Sequence, residues 1–129
     1  MKETEQRNRE IALFMGWKEA TEEYKMKWCG VRTPERLYRI NQDYVPYLVK
    51  EGVSEPIFKD SLEYHSSWDW LMPVVEKIES NENFIDISKN YVTIMIKGQR
   101  TKSYPVVNGN KITTLFLAVS DFCLTQNKK

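Results

Sequence analysis

The one histidine of the chain, His65, stands four residues before Asp69. On a helix that spacing places two side chains on one face. An imidazole oriented by a carboxylate is a familiar general base in hydrolytic chemistry. What the pair lacks is a nucleophile, because no hydroxyl or thiol can be assigned to it from its position. Ser66 and Ser67 fall where a helix needs N-caps, and His65 can pack beside Trp70 as a staple-like residue. A hydrolase using His65 and Asp69 therefore stays an alternative, and no catalytic residue is assigned.

Metal chemistry finds even less. Cys29, Cys123 and His65 would have to converge with at least one further ligand, and no local Cys or His pair has a zinc-type spacing. Haem and iron–sulfur patterns are absent as well. The five glycines form neither a Walker sequence nor a dinucleotide fingerprint. No metal and no cofactor is expected. Two cysteines are too few for a disulfide framework, and both are expected to be reduced and buried.

Aromatic side chains carry the remaining signal. Most of them lie between Trp17 and Trp70, interleaved with Arg32, Arg36 and Arg39. Such a mixture can build a stacking surface or a protein hot spot, and it can equally be a sheet core with arginines on its wet face. The candidate binding residues are Tyr44, Tyr47, Tyr64, His65 and Trp68, in the segment 41–66 and at the start of the helix that follows it.

The elements that must position these residues follow from periodicity. Residues 3–15 read as a helix with Gly16 as a left-handed C-cap. Tyr24, Met26 and Trp28 alternate with Lys25 and Lys27, which predicts a strand over Glu23–Val31. Thr33-Pro34-Glu35 reads as a turn, and Arg36–Ile40 as a returning strand. Residues 41–66 show no clean period and hold Pro46, Gly52 and Pro56. A connection this long inside a small domain is uncommon unless it is functional or contains short elements of its own.

Ser66 as N-cap and Asp69 three residues on predict a second helix, ending near Ser80. Its apolar stripe is Trp68, Leu71, Val75 and Ile78, with a kink or delayed start at Pro73. Short strands follow around Ile85–Ile87, Val92–Ile96 and Ser103–Val107, the last held to an edge by Pro105. After Asn108-Gly109-Asn110, the residues Ile112, Leu115, Phe116, Val119, Phe122 and Cys123 recur at helical spacing, the strongest period in the chain. The expected fold is α+β, an antiparallel sheet layered with helices in an αβα sandwich-like arrangement, as a single domain over 1–129.

Composition agrees with a globular chain. Of 129 residues, 41% are hydrophobic and 29% charged, which is enough to build a core without staples. Basic and acidic side chains number 19 and 18, so the near-neutral balance offers no basic face for general nucleic-acid binding. No apolar run is long enough to cross a bilayer, and no targeting segment is visible. A cytoplasmic location and no membrane partner are expected.

Two segments carry a resemblance. NREIALFMGWK, from Asn8 to Lys18, and YHSSWDWLMPVVEKIE, from Tyr64 to Glu79, resemble the phage ABA (α-β-α) sandwich domain family of small phage and Bacteroides proteins. The resemblance implies an αβα layered fold and a phage or prophage origin. It carries no established activity and transfers no functional residue. Small phage accessory proteins often act by binding a host component, so the leading expectation is a non-enzymatic interaction module with a host protein as partner. A small-molecule or nucleotide-binding domain with a pocket under the segment 41–66 is the second.

Overall fold

The computed structural model describes residues 2–99 and 101–128 and has an α+β fold. Its contacts divide the chain into two compact units. The larger comprises 1–15 and 63–129, and the smaller, 16–62, is inserted between the two parts of the larger.

In the larger unit the first helix is α1, Lys2–Phe14. Helix α4, Trp68–Glu79, leads into three strands, β4 (Phe84–Ile87), β5 (Tyr91–Met95) and β6 (Lys102–Pro105), and the unit closes with α5, Lys111–Asn127. The strands form one antiparallel sheet in the order β4-β5-β6, so Pro105 does lie on an edge strand, where its missing N–H breaks no ladder. Register pairs Ile85 with Ile94 and Val92 with Tyr104. Directly opposed residues share a face, so Val92, Ile94 and Ile85 point together into the core, where all three are buried. The opposite face carries Phe84, Tyr91 and Met95, all exposed.

The period of α5 is the one expected, and Leu115, Phe116, Val119, Phe122 and Cys123 are buried. More of this helix is covered than one stripe requires. Thr114, Ala118 and Ser120 are buried too, because α5 packs on the sheet and also receives α1. Small side chains let two helices approach, and the α1 contact is then fixed by Phe14, whose ring meets Phe122 edge-on at 5.7 Å. Helix α1 ends without a basic residue in its own last turn. Lys77 of α4 supplies one, donating to the Phe14 carbonyl at 2.5 Å and lying over the Phe14 ring.

Two details of α4 differ from expectation. Ser66 is not its N-cap: Ser67 holds that place, with no side-chain bond to the helix. Nor does Pro73 delay the start, since the helix runs through it from Trp68 to Glu79. The one backbone bond lost at Pro73 is outweighed by the burial of Leu71, Val74, Val75 and Ile78. Trp68, expected in that stripe, is exposed.

The smaller unit overturns the expected hairpin. Residues Glu22–Cys29 form helix α2, and Pro34–Arg39 form helix α3. The physical reason lies at the ends. Thr21 Oγ1 accepts from the Tyr24 N–H, Glu22 and Glu23 occupy the positive first turn, and Gly30 closes α2 at φ 71°. Thr33 caps α3 in the same way, accepting from the Arg36 N–H, and Pro34 sits at the first turn, where its missing donor is not needed. The Tyr24–Met26–Trp28 alternation reported no buried face, because no residue of α2 is buried.

The segment 41–66 does contain short elements. A 3-10 turn, Gln42–Tyr44, precedes strand β2, Pro46–Val49, which is the centre of a small antiparallel sheet. Its neighbours are β1 (Lys18–Glu19) and β3 (Ile57–Phe58), and a second 3-10 turn follows at Lys59–Ser61. Pro46 tolerates a central strand because it is the first residue of β2, beside a register shift. The core beneath is small, with Ala20, Leu37, Val45, Pro46, Leu48 and Leu62 buried in it.

Candidate binding surfaces

The five candidate residues are divided between the two units. Tyr44 and Tyr47 belong to the smaller unit, and Tyr64, His65 and Trp68 to the larger. Tyr44 is 72% exposed on its 3-10 turn, whereas Tyr47 is half-buried on β2. Trp68, at the first turn of α4, is 42% exposed.

Tyr64 is a core residue. It is 5% exposed, and its ring meets Trp70 edge-on at 5.1 Å. Burial, with a smaller contribution from the nearby Cys123 thiol, pushes its phenol up to about 12. It cannot offer its face to a partner while the core is intact, which corrects its place among the surface residues.

His65 is exposed, and its ring meets Phe116 at 6.1 Å. The Nδ1 atom pairs with Asn8 Nδ2 at 3.0 Å. With the Asn8 amide donating, Nδ1 is the acceptor and the neutral ring carries its proton on Nε2. Asn8 itself is 4% exposed, and its buried Oδ1 meets no donor. Among the described residues no hydrogen bond joins His65 to Asp69, and no hydroxyl or thiol is bonded to the ring. The imidazole lines an open hollow of about 280 Å3 with Arg7, Thr4 and Glu3. No group of three metal-ligating side chains occurs among the described residues. Cys123 is buried, Cys29 partly so, and both are free. Burial pushes the Cys123 thiol well up, an inert state for a nucleophile.

A charged network ties α1 to α5 and β6. Arg7 Nη1 donates to Asp121 Oδ1 at 2.6 Å and to Ser120 Oγ at 2.7 Å, and Arg7 Nε donates to Glu3. Burial works against the guanidinium charge, but the Asp121 and Glu3 carboxylates outweigh it and hold Arg7 above its ordinary value. Tyr104 donates to the other carboxylate oxygen of Asp121 at 3.0 Å. Burial and this bond together push the Tyr104 phenol up, so it remains a donor.

Like Trp68, Trp28 on α2 was read as packed and emerges at the surface. Trp28 is 48% exposed, stacked on Tyr24 at 6.4 Å and edge-on to Phe58 at 6.4 Å. Tyr38 on α3 is 66% exposed and donates to Glu22 of α2 at 2.8 Å. The capping residues Thr21 and Gly30 were the available signal, since they mark the two ends of a helix that buries no residue fully. In the same unit, Lys25, Gln42, Val45, Pro46, Tyr47 and Lys59 surround a hollow of about 260 Å3.

No helix among the described residues is long and apolar enough to cross a membrane. Comparison with protein-family profiles, curated proteins and solved structures finds no match to this chain.

Proposed function

We propose that the chain is a non-enzymatic interaction module of phage type, acting in the cytoplasm of the host, and that it engages a host protein through the aromatic face of α2. The observation that carries this reading is Trp28, half exposed on a helix with no buried residue, yet held by two neighbouring rings. A tryptophan already ordered by stacking loses little conformational entropy on binding, and Trp and Tyr are the residue types that dominate interface energetics. Tyr38 and Tyr44 extend the exposed aromatic content of the same unit. The His65 environment supports the non-enzymatic part, because among the described residues the imidazole has neither an orienting carboxylate nor a nucleophile bonded to it.

The test is an affinity capture from host lysate with wild-type chain, Trp28→Ala, Tyr44→Ala and, as control, Phe84→Ala in the larger unit. The expected result is one host protein lost at least about tenfold with Trp28→Ala, less with Tyr44→Ala, and retained with the control. If no captured protein depends on Trp28, the reading fails.

The hollow walled by Lys25, Gln42, Tyr47 and Lys59 favours a second reading, a small-molecule-binding domain with its pocket under the segment 41–66. Native mass spectrometry of freshly purified chain separates the two. A stoichiometric adduct displaced by Tyr47→Ala supports the pocket, and a bare mass with Trp28-dependent capture supports the interaction module.

A further inference from the structure

The larger unit contains a second feature that is independent of the α2 surface. A hollow of about 200 Å3 opens between the C-terminal half of α5 and the end of the β5–β6 hairpin. Its floor is apolar and ordered: Ile94, Ala118 and Phe122 line it, and they are 2%, 0% and 6% exposed. These side chains are anchored in the core, so the floor exists before any ligand arrives.

Polar groups stand around that floor in two different states. Asp121 is already committed, with one oxygen receiving Arg7 and the other Tyr104. Lys102 is not. It opposes Ile94 across the β5–β6 ladder, so its side chain leaves the sheet on the core-facing side, toward the hollow. Its ammonium lies 5.4 Å from the centre of the Tyr104 ring, and no carboxylate pairs with it among the described residues. Gln99 lines the same hollow, and its amide likewise has no hydrogen-bond partner there.

We propose that this hollow binds a small monocarboxylate with a compact apolar body, its charge met by Lys102 and Gln99 and its body resting on Ile94, Ala118 and Phe122. The chemistry of the lining selects the class. Among the described residues the hollow offers one cation without a carboxylate partner and one amide, which match a single negative charge. A phosphate dianion would need more donors than Lys102 and Gln99 supply. An amine would be repelled by the Lys102 ammonium and finds no free carboxylate among the lining residues, since Asp121 is neutralised by Arg7. The volume corresponds to roughly six or seven waters, which suits a body the size of a phenyl ring or a branched aliphatic chain. An inward lysine on an edge strand can also serve to discourage pairing with another chain, and that role requires no ligand.

Titration of the intact chain with phenylacetate and with isovalerate, followed by ligand-observed and amide-resolved NMR, separates these roles. Phenylacetamide and benzylamine serve as the neutral and cationic probes. The expected result is saturable binding of both carboxylates in the millimolar range or tighter, with shifts at Ile94, Lys102 and Thr125. Lys102→Met weakens it about tenfold or more while leaving the far weaker phenylacetamide signal unchanged. Ile96→Phe, at a half-buried position on the wall, fills the space and abolishes binding with the circular dichroism spectrum retained. Ala118→Leu tests the floor in the same way, and Lys102→Met on the surface keeps the proposal testable if either filled variant does not fold. Absence of saturable carboxylate binding overturns the proposal, and so does binding indifferent to Lys102→Met or equal affinity for benzylamine.

Discussion

The two units of this chain are built by different means. The larger one buries long, periodic apolar rows from α4, β5 and α5 against one another, and its helices tolerate faults such as Pro73 or a bondless N-cap. The smaller one buries only a handful of side chains, and its two helices are defined at their ends by Thr21, Gly30, Thr33 and Pro34. Where burial is extensive, local propensity is overridden. Where it is scant, caps and turns decide, and aromatic rings are left free for a surface.

Substitutions sharpen this contrast, beginning with the core of α5. Leu115→Ala removes a fully buried side chain and is expected to destabilise the larger unit by about 2–5 kcal/mol. Loss of amide protection at Val92 and Ile94 would register it, and an effect below about 1 kcal/mol would mean that the row is not what holds the unit.

Alkali probes the same core from another direction. The Tyr64 phenol is raised from about 10 to about 12, so the fold binds its proton more tightly than the unfolded chain does. That contribution is complete below about pH 10 and is lost as pH rises towards 12. Tyr64→Phe is expected to flatten the decline of stability between those limits, read from urea midpoints at stepped pH. Cys123 and Tyr104, both also raised, keep some slope in the variant.

The capped helices give a smaller effect. At Gly30 a methyl group would meet open space, but φ 71° lies in the left-handed region. Gly30→Ala is therefore expected to cost about 1 kcal/mol through backbone strain alone, visible as faster amide exchange in α2. The smallest effect is expected at a buried site. Asn8→Leu forfeits the bond to His65 and also removes an acceptor that has no donor, so stability should stay within about 1 kcal/mol of wild type. A large loss in thermal unfolding would show that the Asn8 oxygen is satisfied after all.

How much could be read from the residues follows the same division. The α5 face, the buried side of β5 and the α+β class rest on apolar period, which follows burial through most of the larger unit, Trp68 excepted, while the edge position of β6 rests on Pro105. In α2 an alternation of Tyr24, Met26 and Trp28 imitated a strand because those side chains sit on a helix that buries none of them. Period carries no information where nothing is buried, and the Thr and Gly at the ends were the better guide. Tyr64 was misplaced for the converse reason, since a single residue beside a helix start has no period to reveal that it points inward. The hollow behind Lys102 was out of reach, because it depends on which residue opposes Ile94 across a ladder.

The insertion of 16–62 between α1 and the rest of the larger unit has a consequence for assembly. Asn127 of α5 donates to the Glu10 backbone carbonyl of α1, a contact 117 positions apart. During synthesis α1 emerges before its partner helix α5, with the whole smaller unit between them. The smaller unit, contiguous in sequence, can close its β1–β2–β3 sheet while α1 is still waiting. The apolar side of α1, with Ile11 and Ala12, then lacks the cover of α5 until Lys111–Asn127 has left the ribosome. Its hydrophilic first turns, with Glu3, Glu5, Gln6 and Arg7, are what keep such a helix soluble through that interval.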